Sequence, residues 1–548
     1  MANTDFEVPK FLKPIEKIVP QTLQQATPSL FQIGILGIAF VLFNTWYTLL
    51  TEIDPFNFSE TMLATEPSQN FKGNLLLTLA FPAIVLLLIW HRKLLLVQWD
   101  KLEGGKSFRW IIGVCTCILT WSHITFPFNY FLNEWFFLER SLVLVLTILV
   151  IWRPYFLLLY LLFPILIHYG EPVPFSNWSV TELTIRVLCL FCTQLLVWLV
   201  YSKSRWQIAP FVFVLLCIIA SSYFPAGYGK LKLGWITKNH IYLLLPSMYA
   251  DGWLSFLGDN LLSEITVFAS KFNTLLKTGT LIFEAGGLFI LWGKTKTVGF
   301  FLMGFILFHS LVFVMTGIFF WPWMVFELTL LYFLWKKEIF KTIIRKFTIW
   351  HFLLSTLLIF TSIKWLRPGV YVWHDSPVNY TYSFEVEDET GEKSDLPSQF
   401  LWPKYYDYTW SNGFHFIHKN QTLAINWGVS TDGKIVKELL KAKTADDILD
   451  LEKELGMNRF NPELSKKFNR YLIQFATEKK YKLTLNPWFR ALSAPPQRVI
   501  FPATTTSTYD GKNDISKINV YQKLSFFDGE NYLEIRKRKV LSIDIPKN

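Results

Sequence analysis

Ile208-Ala-Pro-Phe-Val-Phe-Val-Leu-Leu-Cys-Ile-Ile-Ala-Ser-Ser-Tyr-Phe224 is followed at once by Pro225-Ala-Gly-Tyr-Gly-Lys230-Leu-Lys-Leu-Gly-Trp235. The first half is an uninterrupted apolar run of the length that a bilayer demands of a helix. The proline and two glycines read as its end, with Lys230 at the start of a long, mildly charged loop. An amine on such an edge is partly shielded from water and is usable as a base. The plain alternative is a lysine that snorkels from a helix end to the headgroups.

Working outward, the chain is 548 residues long and 52% hydrophobic, with 51 Phe and 23 Trp. Its apolar runs are concentrated before residue 367, which predicts a polytopic membrane protein rather than a soluble one. They fall at 31–50, 74–90, 110–127, 141–152, 154–168, 184–201, 208–224, 277–292, 297–317, 321–335 and 348–366. The pair broken by Arg153-Pro154 reads either as two short helices or as a re-entrant pair. About nine to eleven spans are therefore expected, preceded by an N-terminal arm at 1–30.

The formal net charge of +11 sits largely in short loops and argues for topology, not for nucleic acid. Arg92, Lys93, Lys203, Arg205, Lys294, Lys296, Lys336 and Lys337 follow even-numbered spans, whereas Glu52, Asp54, Glu60 and Glu66 follow the first. Basic loops stay inside, so the N-terminus is expected in the cytoplasm and everything after Trp365 outside. The membrane is either a bacterial cytoplasmic membrane or one of the endoplasmic-reticulum type. All five cysteines lie in apolar runs, which points to small buried hydrophobes and away from a disulfide framework or a metal site. No secretory leader precedes the first run, which would itself direct insertion.

From Arg367 the composition becomes that of a soluble domain. Alternation predicts strands at Tyr380–Val386, Phe414–Ile417, Thr422–Trp427, Tyr481–Leu485, Val499–Phe501, Ile518–Phe527 and Tyr532–Ile545. Helices are expected at Lys434–Leu455 and Pro462–Lys479, the latter with Asn461 before its first-turn proline. The fold class expected is a polytopic α-helical membrane bundle at 31–366 carrying a C-terminal extracytoplasmic β-rich, sandwich-like domain at 367–548. Asn57, Asn177, Asn379 and Asn420 stand in Asn-x-Ser/Thr sequons on the outer side.

Ionisable side chains inside apolar runs carry the chemistry, because burying charge in lipid is costly. Glu284, His309 and Glu327 lie in three consecutive runs, and His123 near the outer end of the third. They converge either on a polar cavity below Lys230 or into hydrogen bonds that tie helices together. No nucleotide loop, zinc-protease motif or paired cysteine spacing is present.

Tyr223-Phe-x-Ala-Gly-x-x-Lys230-Leu-x-x-x-Trp235 resembles the catalytic-lysine segment of the vitamin K-dependent γ-glutamyl carboxylase superfamily, which includes the horizontally transferred transmembrane proteins. Gly229 stands where a basic residue often precedes that lysine. Phe308-His309-Ser310, Phe313, Gly317-Ile-Phe319 and Met324 resemble the family's histidine segment. Phe468-Asn-Arg-Tyr-Leu-Ile-Gln-Phe-Ala476, Leu483–Trp488 and Gln497-Arg498 to Phe501-Pro502 are similar, more loosely, to its C-terminal pattern.

The resemblance implies that Lys230 is the base and His309 an active-site partner. Glu284, Glu327, Tyr223 and Trp235 would line the cofactor site. It also implies vitamin K or menaquinone hydroquinone as a lipophilic quinol cofactor, with O2 and CO2 as further reactants. In the family the quinol anion reacts with oxygen, the resulting base removes a γ-proton from a peptide glutamate, carbon dioxide adds, and the quinone leaves as its epoxide. A peptide or protein substrate would approach from the outer side. One departure stands out: Glu134 occupies the position of the histidine in the family's Asn-His-x-Tyr-Leu segment, which leaves carboxylation itself open. Two other functions are compatible with these residues: a non-catalytic anchored binding or assembly protein, and a transporter using Glu284, His309 and Glu327 as a proton relay.

Overall fold

The computed structural model describes residues 30–51, 75–102, 104–125, 136–170, 179–200, 208–366, 372–396, 413–477, 492–495, 499, 508–511 and 513–546. The N-terminal part is helical: α1 (Leu30–Thr51), α2 (Leu75–Trp90), α3 (Gly105–Ile124), α4 (Phe136–Trp152), α5 (Phe156–Gly170), α6 (Ser179–Val200) and α7 (Ile208–Lys232). After them come α8 (Leu244–Ala250), α9 (Gly258–Ser270), α10 (Asn273–Glu284), α11 (Lys294–Thr316), α12 (Trp321–Lys336), α13 (Glu338–Arg345) and α14 (Ile349–Trp365). The chain is mostly helical, with its strands near the C-terminus.

Helix α7 is the axis. Every side chain from Ile208 to Ser221 is buried, and α1, α6, α10 and α14 pack around it. Among the described residues α1, α7 and α11 are long and apolar enough to cross a membrane; α13 and α14, bent by 96°, add a fourth if they count as one broken span. That is fewer than the eleven apolar runs in the sequence. Length is one reason: α2, α4, α5 and α12 have 16, 17, 15 and 16 residues. The break at Arg153-Pro154 is present between α4 and α5.

Two further expectations give way here. The apolar run 277–292 is not one helix, because the chain leaves α10 at Glu284 and passes through a short turn at Gly286–Phe289. The stretch after Lys230, expected as loop, contains α8 and α9. Cys115, Cys189, Cys192 and Cys217 are buried, but Cys117 is exposed on the outer surface of α3.

The C-terminal unit has its own core, in which Phe384, Phe414, Phe468 and Leu524 pack between sheet and helices. Its main sheet runs β3-β2-β7-β8, all antiparallel, with β2 at Val378–Asp388, β3 at Lys393–Leu396, β7 at Ile515–Phe527 and β8 at Tyr532–Asp544. Short pairs join β1 (His374–Asp375) to β5 (Val429–Ser430) and β4 (Gln421–Thr422) to β6 (Met457–Asn458). The strand expected at Phe414–Ile417 is instead a 3-10 segment, Gly413–Ile417, and the one at Thr422–Trp427 shrinks to β4. The long helix expected at Lys434–Leu455 is two, α15 (Gly433–Leu439) and α16 (Ala445–Leu455), because Thr444 starts a new helix with a reciprocal cap to Asp447. Helix α17 (Pro462–Thr477) begins with Asn461 Oδ1 accepting from Leu464 N at 3.0 Å. The strand expected at Tyr481–Leu485, most of that at Val499–Phe501 and the Leu483–Trp488 segment lie outside the described residues, as do Asn57 and Asn177. Asn379 is buried in β2, donating to Ser247 O at 2.9 Å, so the folded protein does not offer it for glycosylation.

Candidate functional site

Helix α7 does not stop at Pro225. Proline removes one backbone donor and crowds the preceding turn, yet dense packing on all sides carries the helix to Lys232, and Gly234 at φ +68° ends it. The two glycines serve close approach instead. A Cβ on Gly227 would lie 2.4 Å from Ala285 N, and one on Gly229 would lie 2.4 Å from Val372 Cγ2. Gly227 thus lets α7 touch the end of α10, and Gly229 leaves room for Val372 of the C-terminal unit.

That approach sets the first cluster. Lys230 Nζ donates to Glu284 Oε1 at 2.5 Å and Oε2 at 2.6 Å, and sits 5.4 Å from the centre of the Trp235 ring. All three residues are buried. Trp235 Nε1 has no hydrogen-bond partner.

Tyr223 lies seven residues before Lys230, two turns along the same face of α7. Its hydroxyl is 2.7 Å from His309 Nε2 and donates to Glu327 Oε1. The phenol is stacked on Phe305, with centroids 3.8 Å apart, and meets Trp323 edge-on. A tyrosine hydroxyl has one proton, so donation to Glu327 makes it the acceptor for His309 Nε2–H. His309 Nδ1 and Glu327 Oε2 remain without partners. Of the three acids and bases expected to converge, His309 and Glu327 therefore meet at Tyr223, and Glu284 belongs to Lys230. Glu134 lies outside the described residues. His123 pairs with Glu139.

Above Lys230 the C-terminal unit docks through Asp375. Asp375 Oδ2 accepts from Asn239 Nδ2 at 2.5 Å, its backbone N–H donates to Asn239 Oδ1 at 2.7 Å, and Oδ1 accepts from Trp373 Nε1 at 3.1 Å. Lys277 Nζ donates to Asn239 O at 2.9 Å. Burial pushes the Asp375 carboxyl up to about 7, offset in part by the Asn239 and Trp373 hydrogen bonds and by the charge of Lys230. A folded acid with a raised pKa binds more protons than the unfolded chain, so its contribution to stability is full at low pH and declines from about pH 4 to about pH 7. The difference in unfolding temperature between wild type and Asp375→Asn is therefore expected to change across that window and to be flat above it. A difference independent of pH would show that Asp375 titrates normally.

Residues 492–495 lie over the same end of the helices. Trp121 Nε1 donates to Leu492 O at 2.8 Å, Trp321 Nε1 to Pro495 O at 3.1 Å, and Ala494 N to Thr125 Oγ1 at 2.9 Å. At the opposite end Trp99 Nε1 reaches Val150 O at 3.0 Å and Arg153 bonds Leu96 O.

A second buried polar group lies within the C-terminal unit and was not foreseen from sequence. Tyr382 Oη contacts His415 Nδ1 at 3.0 Å and His418 Nε2 at 2.9 Å, and Gln522 Nε2 donates to Tyr382 Oη at 2.6 Å. Burial, then the nearby Arg459, pushes His415 down to about 3; burial and Arg538 push His418 to about 4. Its members come from β2, β7, the 3-10 segment and the residue just after it; His415 and His418, three residues apart, are the one local signal, and nothing in the sequence joins them to Tyr382 or Gln522.

Gly227 offers a direct check on the first cluster. Gly227→Ala is expected to destabilise the protein by about 1–3 kcal/mol, because backbone at Ala285 cannot yield cheaply. Gly279→Ala, inside α10 with nothing within 4 Å of its added Cβ, is expected to be neutral or to stabilise by up to about 1 kcal/mol. Thermal unfolding of both variants measures the contrast, and equal melting would contradict the tight α7–α10 contact.

Among the described residues no group of three or more His, Cys, Asp or Glu is arranged to hold a metal ion. Compared with known proteins, the chain matches no family model, no curated protein and no solved structure.

Proposed function

We propose that the chain is a polytopic membrane enzyme of the vitamin K-dependent carboxylase type, acting on a lipophilic quinol, with its N-terminus in the cytoplasm and its C-terminal unit outside. The observation that carries this reading is the pair of buried polar clusters on one face of α7, Lys230–Glu284 and Tyr223–His309–Glu327. The quinol would be the cofactor, with O2, CO2 and a peptide glutamate as reactants; when bound, it supplies the oxidisable carrier from which the strong base arises.

The residues present fit such a group. His309 Nδ1 and Glu327 Oε2 are buried polar atoms without partners; His309 and its partner Tyr223 are set among Phe305, Phe320 and Trp323, and Trp235 Nε1, also without a partner, lies beside Lys230 among Ile241 and Leu281. Such a lining suits an aromatic ring with polar edges. Lys230 and Glu284 act as a unit. A buried ion pair is poorly compensated for lost hydration, so moving one proton from Nζ to the carboxylate, leaving both groups neutral, is less costly there than in water. The neutral amine then accepts a hydroxyl proton while Glu284 keeps the one it received. Water excluded by Trp235 and the docked C-terminal unit is not available to reprotonate the amine.

Exposed apolar surface supports the membrane reading. Phe300, Leu307 and Val314 form a seven-residue repeat of exposed apolar side chains along α11. The C-terminal end of α3, the start of α12 and the segment just after α11 touch the C-terminal unit, which is compatible with the charge alternation of the loops.

The test is reconstitution of the full chain in liposomes with reduced menaquinone and oxygen, with quinone epoxide measured by mass spectrometry. Epoxide formation that depends on the protein is expected. No epoxide together with proton-coupled flux would favour the transporter, for which the His309–Tyr223–Glu327 chain would be the relay.

A further inference from the structure

Between Lys230 and Glu284 the chain makes an excursion whose outer surface is apolar without being covered. Leu261, Phe268, Phe272 and Leu275 are between 43% and 67% exposed, and Ile265 among them is half-buried. Spacing of four and three places Leu261, Ile265 and Phe268 on one face of α9, and the Phe272 ring, beyond the end of that helix, meets Phe268 with centroids 5.2 Å apart. The row runs along α9, crosses the turn at Lys271–Phe272 and enters α10. Asn260, Glu264 and Lys271 are exposed beside it and give the face a polar edge.

The opposite face of α9 is fixed to the protein. Leu262 and Thr266 are buried, Ser263 Oγ accepts from Tyr532 N at 3.0 Å, and Tyr249 Oη donates to Asp259 Oδ1 at 2.7 Å. The helix therefore cannot roll to hide its row. On α10 the exposed Ile282 follows Leu275 by seven residues on the same face, and Phe289, Trp292 and, on α11, Phe300 are exposed beyond it. Phe283, next to Ile282, meets Phe300 with ring centroids 5.6 Å apart, so the row leads onto a helix long and apolar enough to cross a membrane.

From this we infer that α9 is an interfacial helix, its Leu261–Phe268–Phe272–Leu275 row seated among the acyl chains of the outer leaflet with Asn260, Glu264 and Lys271 at headgroup level. The inference rests on the membrane reading above. An uncovered apolar row of this kind marks an interaction surface, and its continuity with a lipid-facing span selects lipid over a protein partner. One consequence concerns the site. The excursion starts two residues after Lys230 and ends at Glu284, so a lipid-seated α9 holds the buried pair beside the plane in which a lipophilic quinol diffuses.

The test uses the full chain in nanodiscs with the exposed Cys117 replaced by serine and a nitroxide introduced at Phe268→Cys. Val314→Cys on α11 and Lys443→Cys on the C-terminal unit serve as references, all three positions being exposed. Relaxation by oxygen is compared with relaxation by a water-soluble nickel chelate. The label at 268 is expected to prefer oxygen as the label at 314 does, with the preference reversed at 443. Nickel preference at 268 with oxygen preference at 314 would overturn the interfacial helix and leave the membrane reading standing. Nickel preference at both would overturn both. Dipolar broadening between labels at 268 would assign the row to a second copy of the chain and also overturn the inference.

Discussion

Lys230→Met in reconstituted protein is expected to lower epoxide formation from reduced menaquinone by about 10²–10⁴-fold, the usual contribution of a positioned acid–base group. The methionine keeps about the volume of the side chain but removes the ammonium that hydrogen-bonds Glu284 and faces the Trp235 ring. If the loss came from collapse of the quinol site, quinol binding would fall in parallel. The account predicts that binding is kept within a few-fold while turnover disappears. Unchanged turnover would remove Lys230 from the chemistry.

The second large effect concerns stability and separates structure from chemistry. Glu284→Leu leaves a buried ammonium without its counter-charge, and breaking one partner of a buried pair costs about 3–5 kcal/mol. Replacing both residues, Lys230→Met with Glu284→Leu, leaves apolar groups of similar volume and is expected to be neutral or stabilising. Unfolding of the single and double variants in the same detergent measures the cycle. Restored stability in the double variant, without restored turnover, identifies the pair as chemical machinery. If Glu284→Leu costs less than about 1 kcal/mol, the carboxylate is solvated and the pair is an ordinary surface contact.

Much of this arrangement was legible in the residues. The run Ile208–Phe224 identifies a long apolar helix because no polar face interrupts it, and the alternation in Ile518–Phe527 and Tyr532–Ile545 gives the long hairpin. Pro225, Gly227 and Gly229 misled because they usually end helices. Here the Ala285 backbone and the Val372 side chain occupy the space that a Cβ on Gly227 or Gly229 would take, a demand visible only once α10 and Val372 are in place. Helices α8 and α9 escaped because seven and thirteen residues, parted by a turn at Gly252 and with α9 starting on Gly258, carry too short a period to read. Phe414–Ile417 looks like a strand by composition, but Gly413 at φ +58° turns the chain into a 3-10 segment. The sharing of Tyr223 between His309 and Glu327 spans 86 and 104 residues and leaves no local pattern.

The most direct test of the central claim is oxygen consumption with reduced menaquinone by wild type and by the Lys230→Met/Glu284→Leu double variant in matched vesicles. The account predicts quinol-dependent consumption by wild type and none by the double variant, although the two unfold at similar temperatures. Equal consumption by both would contradict it.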